Sequence, residues 1–79
     1  MNISSIVVKA RPENLDAVKV SLTASGLCEI HFSDDLGRII VTVEGDDNED
    51  ETGKLKKIQK LPNIVSADFS YTYTDDGQG

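Results

Sequence analysis

The stretch Cys28 to Gly45 constrains this chain more than any other, because it alternates twice in polarity with a tight turn between. Cys28, Ile30 and Phe32 interleave with Glu29, His31 and Ser33, and Ile39, Val41 and Val43 interleave with Arg38, Ile40, Thr42 and Glu44. A period of two marks strands buried on one face. Asp34, Asp35 and Gly37 supply the turn, since Asp bonds readily to its own nearby backbone and Gly reaches positive φ without a Cβ clash. The expectation is a hairpin with Cys28, Ile30 and Phe32 turned to the core, and the rest of the chain must cover that apolar face.

The flanking segments supply the cover. Asn2 to Ala10 is strand-like, with Ile6, Val8 and Ala10 on one side and Ser5, Val7 and Lys9 on the other. Pro12 suits a first helical turn, Leu15, Val18 and Leu22 follow at helical spacing, and Gly26 stops the helix. The acidic run Asp46 to Glu51 reads as the start of a second helix, with Asp47 or Asn48 as cap and the acids facing the positive end of the dipole. A calcium loop is the competing reading, but the central Gly and the Glu at its twelfth position are not in place. Leu55, Ile58 and Leu61 form the apolar stripe of that helix, Gly53 weakens it, and Pro62 ends it. From Asn63 to Tyr73 the alternation returns, Val65, Ala67, Phe69 and Tyr71 against Ser66, Asp68, Ser70 and Thr72.

The order is strand, helix, strand, strand, helix, strand. A right-handed first crossover that leaves a gap for the hairpin's second strand gives an α+β, ferredoxin-like βαββαβ two-layer sandwich. Its antiparallel sheet has the order 4-1-3-2, and both helices lie on one face. The expected layout is a single domain over residues 1–73 with a flexible tail at 74–79, because Thr74 to Gly79 has nothing to bury. A chain of 79 residues buries only about 60–65% of its unfolded surface, so the core must be compact.

Fourteen acids against eight bases, a formal charge of −6, repel phosphate backbones and anionic membranes. Nucleic acid is therefore not expected as a partner; a basic ligand or peptide would be drawn in instead, and the plainer reading is that the excess acid keeps a small protein soluble. One cysteine makes no intramolecular disulfide and completes no metal-ligand spacing, and no apolar run approaches the roughly 18 residues of a membrane span. The expected setting is cytoplasmic, with no membrane insertion, no metal and no cofactor.

With two helices on one side of the sheet, the other side is bare. It is expected to carry Ser5, Val7 and Lys9, then Glu29, His31 and Ser33, then Ile40, Thr42 and Glu44, then Ser66, Asp68 and Ser70. Val7 and Ile40 on neighbouring central strands form a small apolar path rimmed by hydroxyls and by the carboxylates of Glu29, Glu44 and Asp68. Such a surface suits an amphipathic cationic segment, while a plain solvated sheet face is the other reading. The candidate peptide-binding residues are Ser5, Val7, Glu29, His31, Ile40, Thr42, Glu44, Ser66, Asp68 and Ser70. Catalysis is not expected. His31, the only histidine, has no second histidine or adjacent nucleophile, and Cys28 on the core side behaves as a small inert hydrophobe.

The pattern resembles the NapD family, small cytoplasmic chaperones of periplasmic nitrate reductase assembly. The likeness is carried by Ile6-Val7-Val8-Lys9-Ala10, Gly26-Leu27-Cys28-Glu29-Ile30, Gly37-Arg38-Ile39-Ile40-Val41-Thr42-Val43-Glu44 with the acidic helix start after it, and Asn63-Ile64-Val65 through Tyr71. The resemblance implies a ferredoxin-like fold and binding of the twin-arginine signal peptide of the reductase catalytic subunit. It also implies that export is held back until the molybdenum cofactor and iron–sulfur cluster are in place, with no enzyme activity. The rival readings for this order of elements are an amino-acid-sensing domain, an acylphosphatase-like enzyme and a metal carrier. The first two call for glycine-rich first loops where this chain has Arg11-Pro12-Glu13, and the third calls for a Cys pair.

Overall fold

The computed structural model describes the backbone from Asn2 to Thr74 and side chains as far as Ser70. Strand β1 (Asn2–Ala10) leads through a 3-10 turn (Pro12–Asn14) into helix α1 (Leu15–Ser25). The hairpin β2 (Glu29–Ser33) and β3 (Arg38–Gly45) follows, then α2 (Asn48–Gln59) and β4 (Ile64–Thr74). The sheet order is β2-β3-β1-β4 with every neighbouring pair antiparallel, which is the expected order read from the other edge. Thr74 belongs to β4 by its backbone, so only residues 75–79 of the expected tail remain, and these lie outside the described residues.

Local chemistry explains the element ends. Gly26 takes φ 67° and closes α1, and Ser25 returns its hydroxyl to the Leu22 carbonyl at 2.6 Å. Asp47 caps α2 by accepting the N–H of Asp50 at 2.8 Å, while the Asp50 carboxylate accepts the N–H of Asp46 at 3.1 Å. Gly37 carries φ 98° in the hairpin turn, where its carbonyl accepts the Ala10 N–H at 2.8 Å. A Cβ at Gly37 would sit 2.0 Å from the Ala10 carbonyl oxygen, so this position admits glycine alone.

Both helices cover the same face of the sheet. Ile6, Val8 and Ala10 of β1, Ile39, Val41 and Val43 of β3, and Ala67 of β4 form one cluster with Val18 and Leu22 of α1 and Leu55 and Ile58 of α2. Leu15, Leu61, Ile64, Ile30 and Cys28 pack partly buried around it, as the thiol expectation required for Cys28. Among the described residues no helix is long and apolar enough to cross a membrane. No group of three potential metal ligands occurs among them either.

The central strands keep strict alternation, but the two edge strands do not. In β2, Ile30 pairs with Val41 while Phe32, not His31, pairs with Ile40. His31 is therefore an extra residue, a bulge, and everything after it changes face. Phe32, expected in the core, shares the side of Ile40 and is 57% exposed. Ser33, expected on the bare face, turns under α1 and accepts the Lys19 ammonium at 3.3 Å. In β4, Val65 is bulged between the Ala10–Ile64 and Lys9–Ser66 pairs. Ile64 fills the core position expected of Val65, which stands 65% exposed. Ser70 is bulged between the Ile6–Phe69 and Ser5–Tyr71 pairs, so it is exposed without a partner in β1. The expected direction of the Tyr71 side chain falls outside the described residues. Bulges on both rims twist the edges and spoil them as templates for pairing with another chain.

Candidate functional site

The bare face of the sheet follows from the register. Its central row runs Phe32–Ile40–Val7–Asp68 across β2, β3, β1 and β4. Val7 and Ile40 are direct cross-strand partners, so the apolar path read from the sequence exists. Phe32 extends it to the β2 edge, and Ile3, opposite Glu44 on the same side, adds a further apolar group. One row toward the end of β3 lie Glu29, Thr42 and Ser5, and one row the other way lie Arg38, Lys9 and Ser66.

Polar groups on this face are arranged by the same bulge. His31 Nε2 and Thr42 Oγ1 are hydrogen-bonded at 2.8 Å, which ties the extra residue of β2 back to β3. Asp34 holds the hairpin end: its carboxylate accepts the Leu36 and Arg38 N–H groups at 3.0 Å each and the Arg38 guanidinium at 2.8 Å. The backbone N–H of Arg38, then its guanidinium and the Leu36 N–H, keep the Asp34 carboxyl below the usual range. Burial pushes the Cys28 thiol up, away from the reactive thiolate.

The three carboxylates expected at the rim of the apolar path, Glu29, Glu44 and Asp68, do not form one group. With strands about 4.8 Å apart and a rise of about 3.4 Å per residue, the Glu29 and Glu44 backbones stand roughly 8 Å apart, while Asp68 is roughly 16 Å from either. Glu29 and Glu44 instead share a recess of about 260 Å³, lined also by Gly26, Leu27, Cys28, Thr42 and Lys54. The recess exists because β2 begins at Glu29, opposite Thr42, whereas β3 runs on to Gly45. Lys54 is drawn to its rim, donating to the Glu44 carbonyl, with Nζ 3.6 Å from the Asp50 carboxylate.

Of the ten expected binding residues, Ser5, Val7, Glu29, His31, Ile40, Thr42, Glu44, Ser66 and Asp68 lie on this face by register or, for His31, by its bond to Thr42. Ser70 sits on a bulge instead. Phe32 and Ile3 join the face without having been expected there, for different reasons. Ile3 has the same parity as Val7 and needed only the alternation carried two steps back. Phe32 is hidden by a bulge that leaves no mark in the residue types. A surface that is apolar at its centre and acidic at one end can hold a ligand of complementary charge and apolar surface.

Comparison with known proteins gives the same surface a context. A family model described as NapD protein matches residues 1–76. The solution structure of the E. coli Tat proofreading chaperone protein NapD is similar, with 27% identity over 98% of this chain and 81% of that chain, at a TM-score of 0.80. A structure described as the BlsA ground state, at 18% identity and a TM-score of 0.61 over 96% of this chain and 56% of that one, shares the fold. A search of curated proteins finds no match.

Proposed function

The chain belongs to the NapD family, and from that premise we propose that it is a chaperone whose bare sheet face binds the twin-arginine signal peptide of a periplasmic nitrate reductase catalytic subunit. Acting in the cytoplasm, it holds the peptide back from export until the cofactors of its cargo are inserted. The observation that carries this reading is the Val7–Ile40 pair at the centre of an uncovered sheet, with the carboxylates of Glu29 and Glu44 beyond its end. A signal peptide with two arginines ahead of an apolar stretch has the complementary order of charge and apolar surface. Exposed guanidinium–carboxylate pairs contribute only about 0–1 kcal/mol each, so the apolar stretch supplies most of the affinity and the arginines supply selection. Peptide binding is the whole of the activity in this reading.

Calorimetric titration with that signal peptide, and with a copy carrying glutamine in place of both arginines, tests it. The expected result is saturable binding of the first and weaker binding of the second. Equal affinities would remove Glu29 and Glu44 from the reading, and no heat from either peptide would overturn it.

A further inference from the structure

Charge is unevenly distributed along the bare face. At the end where β3 finishes, Glu29 and Glu44 line one recess, and neither carboxylate has an ion pair among the described residues. At the opposite end Lys9 stands exposed on β1 beside Arg38 of β3. Arg38 is committed to Asp34 at 2.8 Å, and Lys9 has no ion pair among the described residues; the exposed Asp68, roughly 8 Å from Lys9 on β4, offsets it, so that end is close to neutral against the two carboxylates at the other. From the row of Lys9 to the row of Glu44 and Ile3 is six residues along β1, or about 20 Å. The apolar residues Val7, Ile40 and Phe32 lie between.

We infer, on the footing of the peptide-binding reading, that this face holds its peptide in one direction only, the cationic N-terminal end at the Glu29–Glu44 recess and the C-terminal end over Lys9. A helical peptide has its own polarity, about half a positive charge at the N-terminus and half a negative charge at the C-terminus. With arginines ahead of the apolar stretch, side-chain charge and helix dipole have the same sense. In the inferred direction the guanidinium groups and the helix N-terminus meet Glu29 and Glu44, while the exposed carbonyls of the last turn meet Lys9. In the reverse direction the arginines face Lys9 and the carbonyls face two carboxylates, so both contacts change sign. The unpaired edge of β3 beyond Thr42 makes the recess at the acidic end alone, because β2 is too short to fill it. Lys54, on the wall of the recess, has its ammonium held by the Glu44 carbonyl and Asp50 and pairs with neither the Glu29 nor the Glu44 carboxylate among the described residues. The span between the charged ends corresponds to about 13 helical residues at 1.5 Å each.

The test uses the full chain labelled with nitrogen-15 and a synthetic peptide of two adjacent arginines followed by 13 residues of leucine and alanine, carrying a nitroxide at one end or the other. The N-terminal label is expected to broaden the amides of Cys28, Glu29, Glu44 and Gly45, and the C-terminal label those of Lys9, Arg38 and Ser66. In Lys9→Glu, whose side chain is exposed, the N-terminal label is expected to broaden both sets, because both ends are then acidic. Replacing Glu29 and Glu44 together by glutamine is expected to weaken binding about 5- to 10-fold. Broadening of both sets by each label in the unsubstituted chain, or the reversed pattern, overturns the direction and leaves peptide binding standing. Amide shifts absent with both peptides overturn the binding reading and the direction with it.

Discussion

Ser4 donates its hydroxyl hydrogen to the Glu51 carboxylate across 2.6 Å, joining the core side of β1 to the first turn of α2 with both side chains out of solvent. Glu51 is one of the acids in the run after the hairpin, and unlike its neighbours it is folded inward against Gly45. Removing a donor from a buried acid costs about 1–3 kcal/mol, whereas replacing both partners by apolar groups of similar shape costs less than the two changes summed. Ser4→Ala is therefore expected to lower the urea midpoint without changing the slope, and Ser4→Ala/Glu51→Met to recover part of the loss. Gly45→Ala tests the same contact from its third side: the added Cβ would lie 2.7 Å from Glu51 Cγ, for an expected cost of about 1–3 kcal/mol.

Two glycines at positive φ separate backbone strain from collision. Gly26 has open space where a Cβ would go, so Gly26→Ala bears the left-handed penalty alone, about 1–2 kcal/mol. Gly37 adds the Ala10 carbonyl at 2.0 Å, and Gly37→Ala is expected to cost about 2–5 kcal/mol from the two effects together. For a domain of this size about 1 kcal/mol corresponds to a Tm shift of roughly 4–8 °C, so calorimetry resolves the two variants. Equal shifts would mean that the turn does not rest against the end of β1.

Asp34 predicts a pH dependence of known sign. Its folded carboxyl is held below the ordinary value of 3.8, first by the Arg38 N–H, so the folded state favours the charged form. The resulting stability is fully present above the ordinary value and is lost as pH falls through the lower, folded one. Urea midpoints of the unsubstituted chain and Asp34→Asn are expected to differ at pH 7 and to converge below about pH 4. A gap that widened on acidification would contradict the assignment.

The parts legible in the sequence are those decided by local chemistry or by unbroken alternation. Gly26 and Asp47 mark the ends of the helices because their conformational freedom and capping oxygen act within a few residues. β1 and β3, each paired on both sides, keep their period throughout, so alternation alone suffices to bring Val7 and Ile40 together. The edge strands are paired on one side only and tolerate an extra residue there. His31, Val65 and Ser70 are ordinary strand residues, and none of them signals a bulge by type. The Ser4–Glu51 bond is illegible for another reason: it joins residues 47 apart in sequence, and Glu51 resembles the exposed acids around it.

The bulge at His31 has the most direct bearing on binding, because it exchanges Phe32 and Ser33 between the two faces of β2. Phe32 is 57% exposed beside Ile40, so its ring contributes little to the core and is free to be covered by a ligand. Covering part of a phenyl ring is worth about 1 kcal/mol, or roughly fivefold in affinity. Phe32→Ala is therefore expected to weaken signal-peptide binding about fivefold in calorimetric titration while moving the urea midpoint little. Ile30→Ala is the counterpart on the core side: it is expected to cost about 2 kcal/mol of stability, the low end for such a truncation because Ile30 is only partly buried. Unbroken alternation would put Ile30 and Phe32 on the same side, and both variants would then destabilise the fold together. A Phe32→Ala protein that lost as much stability as Ile30→Ala, with its peptide affinity unchanged, would return the ring to the core and remove the bulge.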